Sequence, residues 1–184
     1  MSSPTVMLED EHKIIALIVG AAPVLASKLE EGRPVDTRLI SGIVEFMRLY
    51  ADQCHHGKEE ELLFPLLADK GVPMHGCPIG GLITEHARGR ILVKGLDEAS
   101  SALTTNESDV SARDRLIANL RGIADLYPGH IWREDYMLFP MTCKILSKEE
   151  QDSLYAAFQK VDERIGNDVI DRLARFAQSL KDLF

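Results

Sequence analysis

Along the chain, apolar residues recur at the three- and four-residue spacing of helices nearly throughout, and no stretch of useful length alternates as a strand does. The pattern predicts a first helix over about Thr5 to Glu31, with Leu8, Ile15, Leu17, Ile18, Val24, Leu25 and Leu29 supplying apolar surface. Pro23 should kink it or remove a hydrogen bond, and Gly32-Arg33-Pro34 ends it. A second helix is expected over about Asp36 to Asp69, bent near Pro65. The connector Lys70 to Pro78 is rich in Gly and Pro; a third helix follows over about Ile79 to Leu103, then a polar loop from Thr104 to Ser111. The fourth helix covers about Ala112 to Leu146, interrupted at Pro128-Gly129. Ser147-Lys148-Glu149-Glu150 is a capping-box signature that opens a fifth helix to about Ile165, and a last helix follows Gly166-Asn167. The expectation is an all-α domain over 1–184: an antiparallel up-down four-helix bundle over 8–146 and a C-terminal helical extension over 147–184. In the extension Leu154, Phe158, Val161, Ile165, Ile170, Leu173, Phe176, Leu180 and Phe184 either cap the bundle or meet a protein partner, capping being the commoner use of such a stripe.

The polar residues of the second and fourth helices repeat. His55-His56-Gly57-Lys58-Glu59-Glu60-Glu61-Leu62-Leu63-Phe64-Pro65 is echoed 75 residues later by His130-Ile131-Trp132-Arg133-Glu134-Asp135-Tyr136-Met137-Leu138-Phe139-Pro140. Both copies read His-x-x-x-Glu followed by Leu-Phe-Pro. In a regular helix, positions four apart differ by only about 40°, so each imidazole and its carboxylate leave one face. Glu11-His12 precedes the first doublet and Glu85-His86 the second, so the chain holds a duplicated helical hairpin with His, His and Glu in each copy. His12 and His55 are equidistant from the Gly32-Arg33-Pro34 turn, and His86 and His130 from the Thr104–Ser111 loop. Equidistant residues of an antiparallel hairpin share a level, so all four imidazoles can meet in the bundle. A lone His-x-x-x-Glu is usually a surface pair; two of them with matched upstream histidines are not.

Composition adds limits. Net charge is −8 with a pI near 5.2, which argues against a general nucleic-acid-binding surface. No apolar run of membrane-spanning length and no signal-peptide pattern stand out, so no membrane role is expected and the cytoplasm is the default compartment. Cys54, Cys77 and Cys143 lack Cys-x-x-Cys spacing and are expected as small, semi-buried residues. Four imidazoles and two carboxylates suit iron, manganese or zinc. With both carboxylates bridging and an oxo or hydroxo bridge, each of two ions would have five ligands and an open position. His56 breaks the symmetry, because Ile131 occupies its slot in the second copy. Were His56 to bind, one ion would gain a third histidine and close. Glu9, Glu11, Asp52 and Glu85 are placed to accept the outer N–H of ligand histidines, although a solvated charge is the commoner role for any one of them. Tyr50, Tyr127, Tyr136, Trp132, Met47, Met137 and Met141 are expected to pack, Phe64 and Phe139 to line the core beside the site, and His75 to lie on the surface.

The His…His-x-x-x-Glu…His…His-x-x-x-Glu pattern, with Cys77-Pro78-Ile79-Gly80 and Glu85-His86-Ala87-Arg88-Gly89-Arg90, resembles the hemerythrin-like, or HHE cation-binding, family over about residues 8–146. That resemblance implies a four-helix bundle around a non-haem di-iron centre, with His12, His55, Glu59, His86, His130 and Glu134 as ligands and His56 as a seventh. The oxygen-carrying members have a second histidine one turn from the third-helix ligand, where this chain has Leu82 and Arg90, so His56 would have to stand in. Their last carboxylate falls at Asp135, but a regular helix turns that residue about 140° from His130, which favours Glu134. Leaner members are linked to handling of NO or peroxide, iron sensing and repair of iron–sulfur centres. The expected function is a di-iron protein that binds, senses or reduces a small diatomic or peroxide oxidant (O₂, H₂O₂ or NO). The alternative is an iron sensor or donor, or an iron–sulfur repair protein, acting through a partner. A ferritin-like oxidase is disfavoured, since it wants Glu-x-x-His twice and only Glu9-x-x-His12 is present.

Overall fold

In the computed structural model, which describes residues 3–183, every regular element is helical. Helix α1 is Pro4–Glu30, and it runs through Pro23. Its inward face carries Leu8, Ile15, Ile18, Leu25 and Leu29, and on that same face Glu11 and His12 are buried. An 18-residue window of α1 has mean hydropathy 1.5, so by length and composition this helix could cross a membrane, contrary to the sequence expectation; half of the window is buried inside the protein.

Helix α2 is a continuous rod over 37–69, capped by the Asp36 carboxylate, which accepts from the Arg38 N–H. It is not a regular α-helix. Met47–His56 and Glu59–Leu63 are widened to π-helix before α-geometry returns over Phe64–Asp69. Helix α3 is Ile79–Thr105. Helix α4 is a rod over 110–145, with a π-helical stretch at Glu134–Leu138 between Val110–Arg133 and Phe139–Ile145. Pro128-Gly129 does not interrupt α4, which continues to Arg133 with Pro128 inside it. Two of the widenings, Glu59–Leu63 and Glu134–Leu138, match in the repeat and fall just before Pro65 and Pro140, whereas Met47–His56 has no counterpart in the second copy. A proline lacks an N–H and its ring clashes with the carbonyl four residues back. Widening the preceding turn moves that carbonyl away and lets the rod continue.

Helix α1 packs on α4, α4 on α3, α3 on α2, and the widened part of α2 back on α1. Each rod thus touches two others. The turn between α1 and α2 and the loop between α3 and α4 fall where the histidine spacing requires, at 31–36 and 106–109. Two apolar clusters result. One joins Ile15, Leu25, Ile43, Met47, Leu96 and Leu120; the other joins Leu8, Phe64, Leu67, Ile79, Leu82, Leu138 and Phe139. The polar site lies between them.

The C-terminal extension forms α5, Lys148–Ile165, opened by the expected capping box at Ser147 and Glu150, and α6, Asn167–Ser179, followed by a 3₁₀ turn at Leu180–Leu183. Helix α5 lies against α1 and the widened stretches of α2, and α6 against α1 and α2. Leu154 and Phe158 enter the second apolar cluster, and Leu173, Ala177 and Leu180 the first. Gly42 permits this closeness, because a Cβ there would sit 2.6 Å from the Phe176 ring. Val161 is buried too, Ile165, Ile170 and Phe176 are half-buried, and Phe184 lies outside the described residues. These two helices therefore lie mainly on the first hairpin.

Candidate metal centre

The six residues singled out by the repeat, and His56 with them, converge between the two apolar clusters. His12, His55, His56, His86 and His130 are buried, and Glu59 and Glu134 have no exposed surface. Paired ring centroids lie 4.5 Å apart for His12 and His55 and 4.8 Å apart for His86 and His130, so each hairpin brings its histidines to one level. His56 comes from α2 and stacks on His86 at 3.8 Å. A second imidazole thus stands beside His86, brought by α2 rather than from the α3 position where the sequence lacks one.

The donors fall into sets that could each grip a cation. His12, His55 and Glu134 offer donor atoms within 4.8 Å of one another; so do His56, His86 and His130; and Glu59, His86 and Glu134 form a third set that joins the other two. Glu134 Oε2 is 3.1 Å from His12 Nε2 and 3.3 Å from His130 Nε2, while Glu134 Oε1 is 3.6 Å from His86 Nε2. Glu59 Oε2 is 3.5 Å from His86 Nε2 and 3.8 Å from His55 Nε2.

None of these approaches has hydrogen-bond geometry. Eight buried side-chain atoms lack a partner among the described residues: Nε2 of His12, His55, His86 and His130, and both oxygens of Glu59 and Glu134. Each such atom costs about 1–3 kcal/mol if nothing meets it. A folded chain does not gather eight in one dry pocket unless something absent from the protein satisfies them, and inward-facing imidazole nitrogens and carboxylates are the donors a cation uses. Electrostatics agrees. Burial, reinforced by the neighbouring Glu134 carboxylate, pushes Glu59 well above the usual carboxylate range. Burial would raise Glu134 as well, but the imidazoles of His130, His12 and His86 hold it ionised. Burial together with the facing His86 drives His56 down to about 4.

The outer nitrogens are all spoken for. His12 Nδ1 lies 2.6 Å from Asp135 Oδ1, His55 Nδ1 2.9 Å from Glu11 Oε2, His56 Nδ1 3.3 Å from Asp52 Oδ1, His86 Nδ1 2.7 Å from Glu60 Oε1 and His130 Nδ1 3.0 Å from Glu85 Oε2. Donation of Nδ1–H to a carboxylate fixes the tautomer that leaves Nε2 as a lone-pair donor toward the centre. Glu11, Asp52 and Glu85 thus do more than carry solvated charge, whereas Glu9 has no such contact. Asp135 and Glu60 were missed. Asp135 does turn away from His130, as the helix rule requires, and it turns toward His12.

A signal for both was present in the repeat. Glu60 and Asp135 are 75 residues apart, and each follows a central glutamate and accepts from a histidine of the other hairpin. The twofold relation extends to the aromatic rings. Phe64 stacks on His86 at 6.0 Å and Phe139 on His12 at 5.6 Å, each across the hairpin boundary. These two phenylalanines wall the site as expected. Tyr127 is buried beside His56, with Gly89 making room for its hydroxyl. Trp132, Tyr136 and Met137 are exposed, against the expectation that they pack, while His75 is exposed as anticipated. Of the cysteines only Cys54 is buried; Cys77 and Cys143 are exposed rather than semi-buried.

A chain with this duplicated hairpin and inward set of imidazoles and carboxylates belongs to the hemerythrin HHE cation-binding domain family, whose sequence profile matches residues 3–142. The chain is also similar to an uncharacterized protein of Mycobacterium bovis and to uncharacterized proteins of two Mycobacterium tuberculosis strains. Each is 26% identical over 141 residues, which cover 74% of this chain and 54% of the relative. The chain therefore spans about half the length of the curated relatives it matches. No solved structure matches it.

Proposed function

We propose that this protein is an antiparallel four-helix bundle that holds two iron ions and uses them to bind, sense or reduce a small oxidant. His12 and His55 would serve one ion and His56, His86 and His130 the other, with Glu59 and Glu134 shared between them. The observation that carries the reading is the group of eight buried, partnerless donor atoms. The donor set of imidazole and carboxylate with no thiolate suits iron, manganese or zinc, and family membership is what favours iron among them.

Bound iron would supply a redox-active Lewis acid. The chain's own residues set the conditions for it. Five Nδ1–H donations aim the imidazoles, and Phe64 and Phe139 keep bulk water out. The set containing His12 and His55 has one imidazole fewer than the other, so an ion held there would have a position open to a small ligand. The alternative, iron sensing or donation through the C-terminal helices, has less support, since Leu154, Phe158, Val161, Leu173 and Leu180 are spent on the bundle.

The test is anaerobic reconstitution with ferrous iron followed by exposure to air. Two irons per chain and new near-ultraviolet and visible absorption on oxidation are expected. Uptake of no iron, or of iron that never reacts with O₂, H₂O₂ or NO, would reject the reading.

A further inference from the structure

The two halves of the repeat differ in how they hold their outer carboxylates. Lys58 and Arg133 are 75 residues apart and play the same part: Lys58 Nζ donates to Glu11, and Arg133 donates to Glu85. Glu11 in turn accepts from His55 Nδ1, and Glu85 from His130 Nδ1. The environments are opposite. Arg133 is 42% exposed, whereas Lys58 is 0% exposed, sealed beneath α5. Under α5 the ammonium also meets Asp162 Oδ1 at 2.6 Å, and Asp162 accepts from Cys54 Sγ at 3.1 Å. Asp162 lies outside the duplicated hairpins and outside the matched residues 3–142.

A buried lysine is retained as a cation only where carboxylates offset its lost hydration. Here they do, since Glu11 and Asp162 both lie against the buried Lys58 ammonium. Held by two acceptors, the ammonium is pinned, and through it Glu11 is pinned where it meets His55. We infer that helix α5 completes the metal centre: Asp162 and Lys58 are positioning residues that act through Glu11 on His55, and so on the ion served by His12 and His55. This rests on the reading of the site as a two-iron centre. It makes the site asymmetric in a way the repeat does not encode. One outer carboxylate is clamped in a dry pocket by the C-terminal extension, and its twin is held by a solvated arginine.

The full chain, reconstituted anaerobically with ferrous iron, provides the test. Asp162→Asn keeps the shape and removes the charge; Asp162→Glu is the conservative variant; Arg172→Ala breaks a surface pair with Glu45 on α2 and serves as a control for loosened C-terminal helices. Iron affinity is read by chelator competition, and the environment of each iron by Mössbauer spectroscopy. In Asp162→Asn, one of the two irons is expected to bind about 10- to 100-fold more weakly with a changed spectrum while the other is unaltered. Asp162→Glu should recover at least part of the loss, and Arg172→Ala should leave both irons as they were. Two irons of wild-type affinity and spectrum in Asp162→Asn would overturn this inference alone. So would an Asp162→Asn chain that fails to fold by circular dichroism, since that would reduce Asp162 to a purely structural role. A wild-type chain that takes up no iron would overturn the two-iron reading itself, and the inference with it.

Discussion

The Nδ1 atom of His12 lies 2.6 Å from Oδ1 of Asp135, a carboxylate from the other hairpin. Burial would depress His12, but the Asp135 and Glu134 carboxylates outweigh it and raise the imidazole to about 10. Asp135 therefore orients a central imidazole without reaching the centre itself. Asp135→Ala is expected to weaken one iron about 10- to 100-fold. Because Asp135 is only partly buried, the loss of fold stability should stay near 1 kcal/mol. Chelator competition and thermal denaturation, run on the same samples, check both halves. A variant of wild-type iron affinity would show that the contact does not orient His12.

Glu59 offers a test in which stability and binding move in opposite directions. Its carboxylate is fully buried with no partner for either oxygen among the described residues. Glu59→Gln removes the charge at little change in shape. The metal-free protein should become more stable, by about 1–3 kcal/mol, because a buried group that prefers to be neutral is then always neutral. The same variant should fail to hold two irons. The check is the melting temperature with and without a chelator: wild type should lose stability when stripped, and Glu59→Gln should not.

Metal loading should release protons. In the metal-free protein His12 titrates near 10, and Glu59 is raised well above the usual carboxylate range by burial and by Glu134. His12 therefore carries a proton near neutral pH that a bound cation must displace, and burial biases Glu59 toward its protonated form in the same sense. Affinity should rise as the solution is made more alkaline and fall as it is acidified. Titration calorimetry in buffers of different ionisation enthalpy reads the proton count directly. An apparent heat independent of the buffer would contradict the protonated resting state.

Phe158 on α5 has no exposed surface and joins Leu8, Phe64 and Phe139 in the second apolar cluster. Phe158→Ala leaves a ring-sized void, expected to cost about 3–5 kcal/mol. Chemical denaturation measures it. If α5 merely rests on a bundle that is complete without it, the loss will be well under 1 kcal/mol.

The sequence by itself determined the helical hairpins, their duplication and the seven residues that meet at the centre. These follow from local rules: three- and four-residue spacing fixes a helix face, and distance from a turn fixes the level at which two residues meet. The same repeat held the Glu60–Asp135 and Lys58–Arg133 pairs, but nothing local marked them as more than surface charge, since their partners lie on other helices. The tertiary structure alone decided which carboxylate serves which imidazole, as in Asp135 with His12 across the hairpin boundary. It decided that π-helical turns precede Pro65 and Pro140. It also decided that α5 settles on the first hairpin, so that Lys58 is buried with Asp162 while Arg133 stays in water. Each of these depends on how far rods distant in sequence approach and turn toward one another, which the packing of whole side chains settles and spacing along the chain does not.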